Sequence, residues 1–199
     1  SSFTGGNVSM TSVSSRINTT GTSTLGNTTF SYNNASDAAS GIILAGDFLV
    51  NASSTTNFTN AAAGVGQINL GSANRVFDVG TGAIMNVGWF ISSTNASGAL
   101  TKNGTGILTL TGNNTYTGTT TIHAGTLQVS GSGLLGSGSY SQNIGNNATF
   151  LYNGTNSQTL SGVISGSGDL TKSNSGTLAL SGNNTYTGAT TVNAGTLQI

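Results

Sequence analysis

Gly98–Val129 reads GALTKNGTGILTLTGNNTYTGTTTIHAGTLQV, and Gly168–Ile199 reads GDLTKSNSGTLALSGNNTYTGATTVNAGTLQI. The two stretches align without a gap, Gly98 on Gly168 through Val129 on Ile199, and agree at 21 of 32 positions. A fixed period marks a stacked architecture, in which each repeat buries its apolar side against its neighbours. Where the copies differ, the exchanges fall almost wholly on alternate positions: Ile107/Thr177, Thr109/Ala179, Thr111/Ser181 and Thr119/Ala189. The residues between them hold, as Leu108, Leu110 and Thr120 against Leu178, Leu180 and Thr190. That period of two belongs to a strand with one buried face. Leu108 and Leu110 are therefore predicted inward, with Ile107, Thr109 and Thr111 outward. Leu127 and Val129 are also predicted inward. Their phase has slipped by one residue, so a bulge or corner is expected near Ala124-Gly125.

Working outward, Asn27–Asn33 (NTTFSYN) echoes Asn147–Asn153 (NATFLYN), and short apolar runs recur at Ile42–Leu44, Phe48–Val50, Val76–Val79, Ile84–Val87 and Val163-Ile164. Gly or Asn separates nearly all of them. No linker interrupts the pattern, so residues 1–199 read as one continuous stack.

Composition narrows the function. Gly, Ser, Thr and Asn supply 116 of 199 residues, with no Cys, Pro or Glu. Only eight residues carry formal charge: Arg16, Arg75, Lys102, Lys172, Asp37, Asp47, Asp78 and Asp169. That is about one sixth of the usual share. There is no basic patch for nucleic acid, no thiolate metal site and no apolar run long enough for a membrane helix. A disordered chain of this polarity would be poor in β-branched and aromatic residues and high in net charge; this one is 35% hydrophobic and formally neutral.

Short strands at even spacing also suit a sandwich or barrel. The exact recurrence favours an all-β, right-handed parallel β-helix, since it lets identical side chains lie in register along one face. Asn-rich turns that could form hydrogen-bonded ladders, corner glycines and the absence of Pro agree. The repeat period corresponds to about three coils of roughly 23 residues, which gives about eight or nine coils and a rod about 40 Å long.

The pattern LTKxGxGxLTLTGxNTYTGxTTxxxGTLQV resembles the passenger-associated repeat of bacterial autotransporters. The resemblance is close over 98–129 and 168–199 and loose over 68–98 and 157–168. Residues 1–67 share only its style. One departure is Ser173-Asn174, where the other copy has Asn103-Gly104. The resemblance implies a long parallel β-helix, exported through a C-terminal barrel and displayed at the bacterial outer surface or released. It implies no particular activity. The chain has no barrel, signal peptide or starting Met, so it reads as a fragment or repeating stretch of something longer.

No residue set is assigned to catalysis, a cofactor or a metal. His123 is the lone histidine, and its counterpart is Asn193, so it is read as exposed. The four Asp are spread too thinly for a polysaccharide-degrading β-helix, the least favoured alternative, and are read as turn caps or solvated groups. Lys102 and Lys172 occupy equivalent places and are read as corner lysines with their amines in water. Tyr116 and Tyr186 are read as packing residues. Of Trp89 and Phe90, only one can be buried. The Gly-Ser runs of 131–138 and 166–168 do not match a phosphate loop. The leading function is a structural surface fibre or stalk that joins end to end or continues into further repeats, with a role in adhesion or matrix. A carbohydrate-binding adhesin module that would take a glycan is the alternative.

Overall fold

The computed structural model describes residues 2–3, 6–10, 16–19, 21–32, 41–60, 66–95 and 98–199. Asp37 lies outside them. Every strand pairing among the described residues is parallel, and strands are visited in a three-beat order that builds a three-faced coil. The first face is an eight-stranded sheet and the second a nine-stranded sheet. The third face is broken into sheets of four, two and four strands. Nine rungs at about 4.8 Å give a stack about 40 Å long.

The predicted alternation sets the core. Along Ile107–Leu110 the pattern is exposed, buried, half-buried, buried. Leu108, Leu110, Leu127 and Val129 are all sealed from solvent. The second face carries an inward column, Phe30, Phe58, Val87, Leu110, Val129, Tyr152, Lys172 and Val192, each paired with the next. Phe30 and Phe58 stack at 4.7 Å, and Trp89 meets Phe58 edge-on at 5.2 Å. Trp89 is the buried member of its pair, with its indole N–H donating to Thr59 O, and Phe90 is half-buried.

The corner at Ala124-Gly125 is present, with Gly125 at φ +67°. Gly104 turns at φ +72°, and a Cβ there would lie 2.2 Å from Val79 O. Its counterpart Asn174 adopts the same left-handed turn at φ +66°, a conformation that Asn tolerates better than most residues. The Ser173-Asn174 departure therefore preserves the corner.

One expectation is overturned. The copies do not lie over one another. Leu100–Asn103 is on the first face, whereas its counterpart Asp169–Lys172 is on the second. Likewise Ile107–Leu110 is on the second face and Thr177–Leu180 on the third. Coil length explains it. Thr55 pairs with Ile84, whereas Ile107 pairs with Thr126, a markedly shorter step along the chain. In the tight later coils one repeat period makes three turns plus one face. Self-similar sequence thus occupies successive faces, and the inward columns are mixed rather than identical.

Nor do stacked asparagines form the main ladder. Asn86 donates to Asn57 Oδ1 at 2.9 Å, but other Asn amides bond hydroxyls, as Asn153 does Ser130, or main chain. Asn114 accepts from Ile91 N–H and donates to Gly112 O and Leu134 O. Asn184 accepts from Ile164 N–H. These amides replace backbone rungs where a strand is missing.

Candidate functional site

Two features concentrate polar chemistry: a pair of buried lysine corners and a hydroxyl-lined cleft.

Lys102 and Lys172 correct the sequence reading. Both are fully buried, and each amine sits in a ring of carbonyls. Lys102 Nζ donates to Asn103 O (2.6 Å), Gly104 O (2.8 Å) and Ala124 O (3.3 Å). Lys172 Nζ repeats the set with Ser173 O (2.7 Å), Asn174 O (2.8 Å) and Ala194 O (3.1 Å). An ammonium has three donors and no acceptor, so each proton meets one carbonyl. Two of the carbonyls belong to the lysine's own corner and the third to the next coil. The residue opposite Lys102 on that coil is Ile122, and opposite Lys172 it is Val192. Neither can cap a corner, so the lysine below serves both. The sequence signal was present: a Lys in strand phase with Leu100 belongs to the inward set. Burial pulls Lys102 down to about 8, partly opposed by the carboxylate of Asp78, and burial also lowers Lys172.

The cleft, of about 230 Å³, lies where the third face is broken. Leu134–Leu135 pairs with Asn113–Asn114, then a turn at Gly136–Gly138 carries the chain to Ser139–Tyr140, which pairs with Thr159–Leu160. Ser137 sits at φ +53°. Gln158 bridges the dislocation, accepting from Leu135 N–H and donating to Leu135 O. Thr115, Thr117, Ser137, Ser139, Ser141 and Gln142 supply the polar wall. Beneath it runs a closed chain of hydroxyls. Tyr140 donates to Gly118 O at 2.6 Å, which directs Thr120 to donate to Tyr140 and Tyr116 to donate to Thr120. Burial raises Tyr116 to about 12 and raises Tyr140 further, aided by Tyr116 beside it. The Gly-Ser run of 131–138 lengthens this coil, and sequence reading missed that it opens a cleft. No phosphate-loop helix follows it.

Tyr116 packs edge-on against Tyr140 at 5.7 Å, not against Tyr186. His123 is exposed. Asp47 accepts from Val76 N–H and Asp169 from Ala189 N–H, both at 2.8 Å. Asp47 and Asp78 fall on adjacent rungs of the first face, while Asp169 is farther along, on the second. Among the described residues no group of three or more His, Cys, Asp or Glu gathers to hold a metal ion. No helix among them is long and apolar enough to cross a membrane.

Comparison with known proteins agrees with the repeat. The passenger-associated-transport-repeat family matches residues 100–129 and 170–199. The adhesin BmaC autotransporter of Brucella suis biovar 1 (strain 1330) is 35% identical over 159 residues. That match covers 64% of this chain, and the chain spans only 5% of that protein. No solved structure matches. The chain thus carries two copies of the passenger-associated transport repeat on a parallel β-solenoid, and it is similar there to autotransporter passengers.

Proposed function

We propose that this chain is a rigid, non-catalytic stalk segment of a cell-surface or secreted passenger that acts in adhesion. The observation that carries the reading is the parallel stack itself, which runs through nine rungs of the second face. Much of the charge is spent on the fold itself: both buried lysines and two of the aspartates bond main chain. Such a rod transmits length and stiffness, because each coil touches only its neighbours and stability accumulates along one axis. Few charges mean that salt will screen little of that stability. The similarity to an adhesin autotransporter supports the adhesive setting.

The test is a replacement in the parent passenger displayed on cells. Residues 1–199 are exchanged for an unrelated β-solenoid of equal length. Retained attachment, together with loss of attachment on simple deletion, is the expected result. Loss of attachment on replacement would show that this surface itself binds. The second reading then applies: the hydroxyl- and amide-walled cleft at Thr115–Thr117 and Gly136–Gln142 holds a neutral glycan. A glycan array on the chain checks it.

A further inference from the structure

The corner at Asn103-Gly104 gathers a side-chain amide, an ammonium and a carboxylate around one peptide bond. Asn103 ends the strand Leu100–Asn103, and Gly104 follows it at φ +72°. The ladder to the coil below ends with Asp78 opposite Asn103, and the ladder to the coil above ends one residue earlier, with Lys102 opposite Ile122. Gly104 belongs to neither ladder. Both corner residues are half-buried, so water reaches them. Asn103 Oδ1 is buried and has no hydrogen-bond partner among the described residues.

Two charges bear on this peptide. Lys102 Nζ donates to Asn103 O at 2.6 Å and to Gly104 O at 2.8 Å. From the coil below, the Asp78 carboxylate lies against Gly104, where a Cβ would meet its Oδ1 at 2.5 Å. A peptide nitrogen becomes nucleophilic as its proton leaves, and the negative charge spreads onto the carbonyl oxygen of the same peptide. Here that oxygen is Asn103 O, where the ammonium already sits. A donor held in place where charge develops lowers the barrier, and a carboxylate at the same corner can accept the proton.

We propose that Asn103-Gly104 is a self-modification site, at which Gly104 N attacks Asn103 Cγ while Lys102 stabilises the peptide anion and Asp78 takes the proton. The N–Cγ bond forms and the Cγ–Nδ2 bond breaks. The amide nitrogen leaves as ammonia, carrying the proton that Asp78 took from Gly104. Water then opens the succinimide to aspartate or isoaspartate. The product sets a second carboxylate opposite Asp78, and like charges directly opposite across strands are destabilising. Isoaspartate also lengthens the main chain beneath Gly125, where a Cβ would lie 2.6 Å from Gly104 O. The corner therefore loosens as the chain ages.

The chain carries its own controls. Asn153-Gly154 is the other Asn-Gly pair. Both of its residues lie in the ladder to Ser130-Gly131, Asn153 Nδ2 donates to Ser130 Oγ, and Asn153 O accepts from the neutral amide of Asn174. In the second repeat copy Ser173 stands in the place of Asn103, so Lys172 Nζ meets Ser173 O at 2.7 Å with no amide there to react.

The test incubates the native chain beside the chain unfolded in guanidinium and maps peptides by mass spectrometry. Conversion is read as the mass gained when a hydroxyl replaces an amino group. In the unfolded chain Asn103 and Asn153 should convert alike. In the native chain Asn103 should convert at least about tenfold faster than Asn153. Asp78→Asn should slow conversion at Asn103 severalfold and leave Asn153 unchanged; a merely structural Asp78 would, when replaced, loosen the corner and speed conversion. Native conversion at Asn103 as slow as at Asn153, or conversion in Asp78→Asn as fast as in the unaltered chain or faster, would overturn the proposal.

Discussion

A buried lysine usually costs stability unless its charge is matched. At Lys102 and Lys172 the match is a ring of three carbonyls that would otherwise face each other across a corner. Lys102→Met removes all three donors and leaves buried acceptors without partners. A loss of about 2–4 kcal/mol is expected in urea unfolding, since each unsatisfied buried group costs about 1–3 kcal/mol and part of it is recovered from the lysine's own desolvation. Tyr116 predicts a pH effect. Its folded pKa, about 12, lies above the unfolded value of about 10. The unfolded chain therefore loses this proton first, and the tyrosine's contribution is fully present below pH 10 and lost as pH rises toward 12. Lys102 acts in the opposite direction, adding stability as pH rises from about 8 to its unfolded value of 10.5. Above about pH 10.5 the lysine no longer adds stability, and Tyr116 and Tyr140, both raised by burial, pull the same way. There, stability of the chain should fall with pH, and Tyr116→Phe should flatten the fall, read as the urea midpoint at each pH.

At the scale of the element, the strand and its corner obey different rules. Inside the strand, only phase matters. Ile107→Thr, the exchange already present at Thr177, should change stability by under about 1 kcal/mol because Ile107 faces outward. Leu108→Ala should cost about 2–5 kcal/mol, because it empties a sealed position. Thermal unfolding of the two variants separates them. At the corner, the neighbour in the stack matters as much as the turn. Asn174 is accommodated at φ +66°, yet Gly104→Asn should destabilise the chain by more than about 1 kcal/mol. Its Cβ would fall against Val79 O and the carboxylate of Asp78. The same residue at equivalent places therefore has opposite outcomes, which chemical denaturation of Gly104→Asn and Asn174→Gly will show.

For the whole molecule, the decisive property is that one repeat period advances the chain by three turns and one face. Thr109 and Ala179 are repeat equivalents but sit on different faces, whereas Thr109 and Thr171 share the second face three rungs apart. Spin labels on a Thr109→Cys/Thr171→Cys pair should report a backbone separation of about 14 Å. The Thr109→Cys/Ala179→Cys pair should report a longer distance. The reverse order would restore in-register stacking of the copies. The rotation also spreads any repeated surface feature around the rod.

Alternation in the two copies was enough to determine strands, the inward set Leu108, Leu110, Leu127 and Val129, the corner at Gly125 and the parallel coil, because side-chain phase and left-handed turns are local properties. The repeat family was legible for the same reason. What rests above each rung was not local. Strand phase sets Lys102 inward with Leu100, but the carbonyl that completes its ring, Ala124 O, comes from the corner of the next coil. Tyr116 finds its partner in Tyr140, which no periodicity pairs with it. The face on which each copy lies depends on the lengths of all coils between them. Those lengths are set by turns and insertions whose effects add along the chain, so only the assembled stack decides which side chains meet.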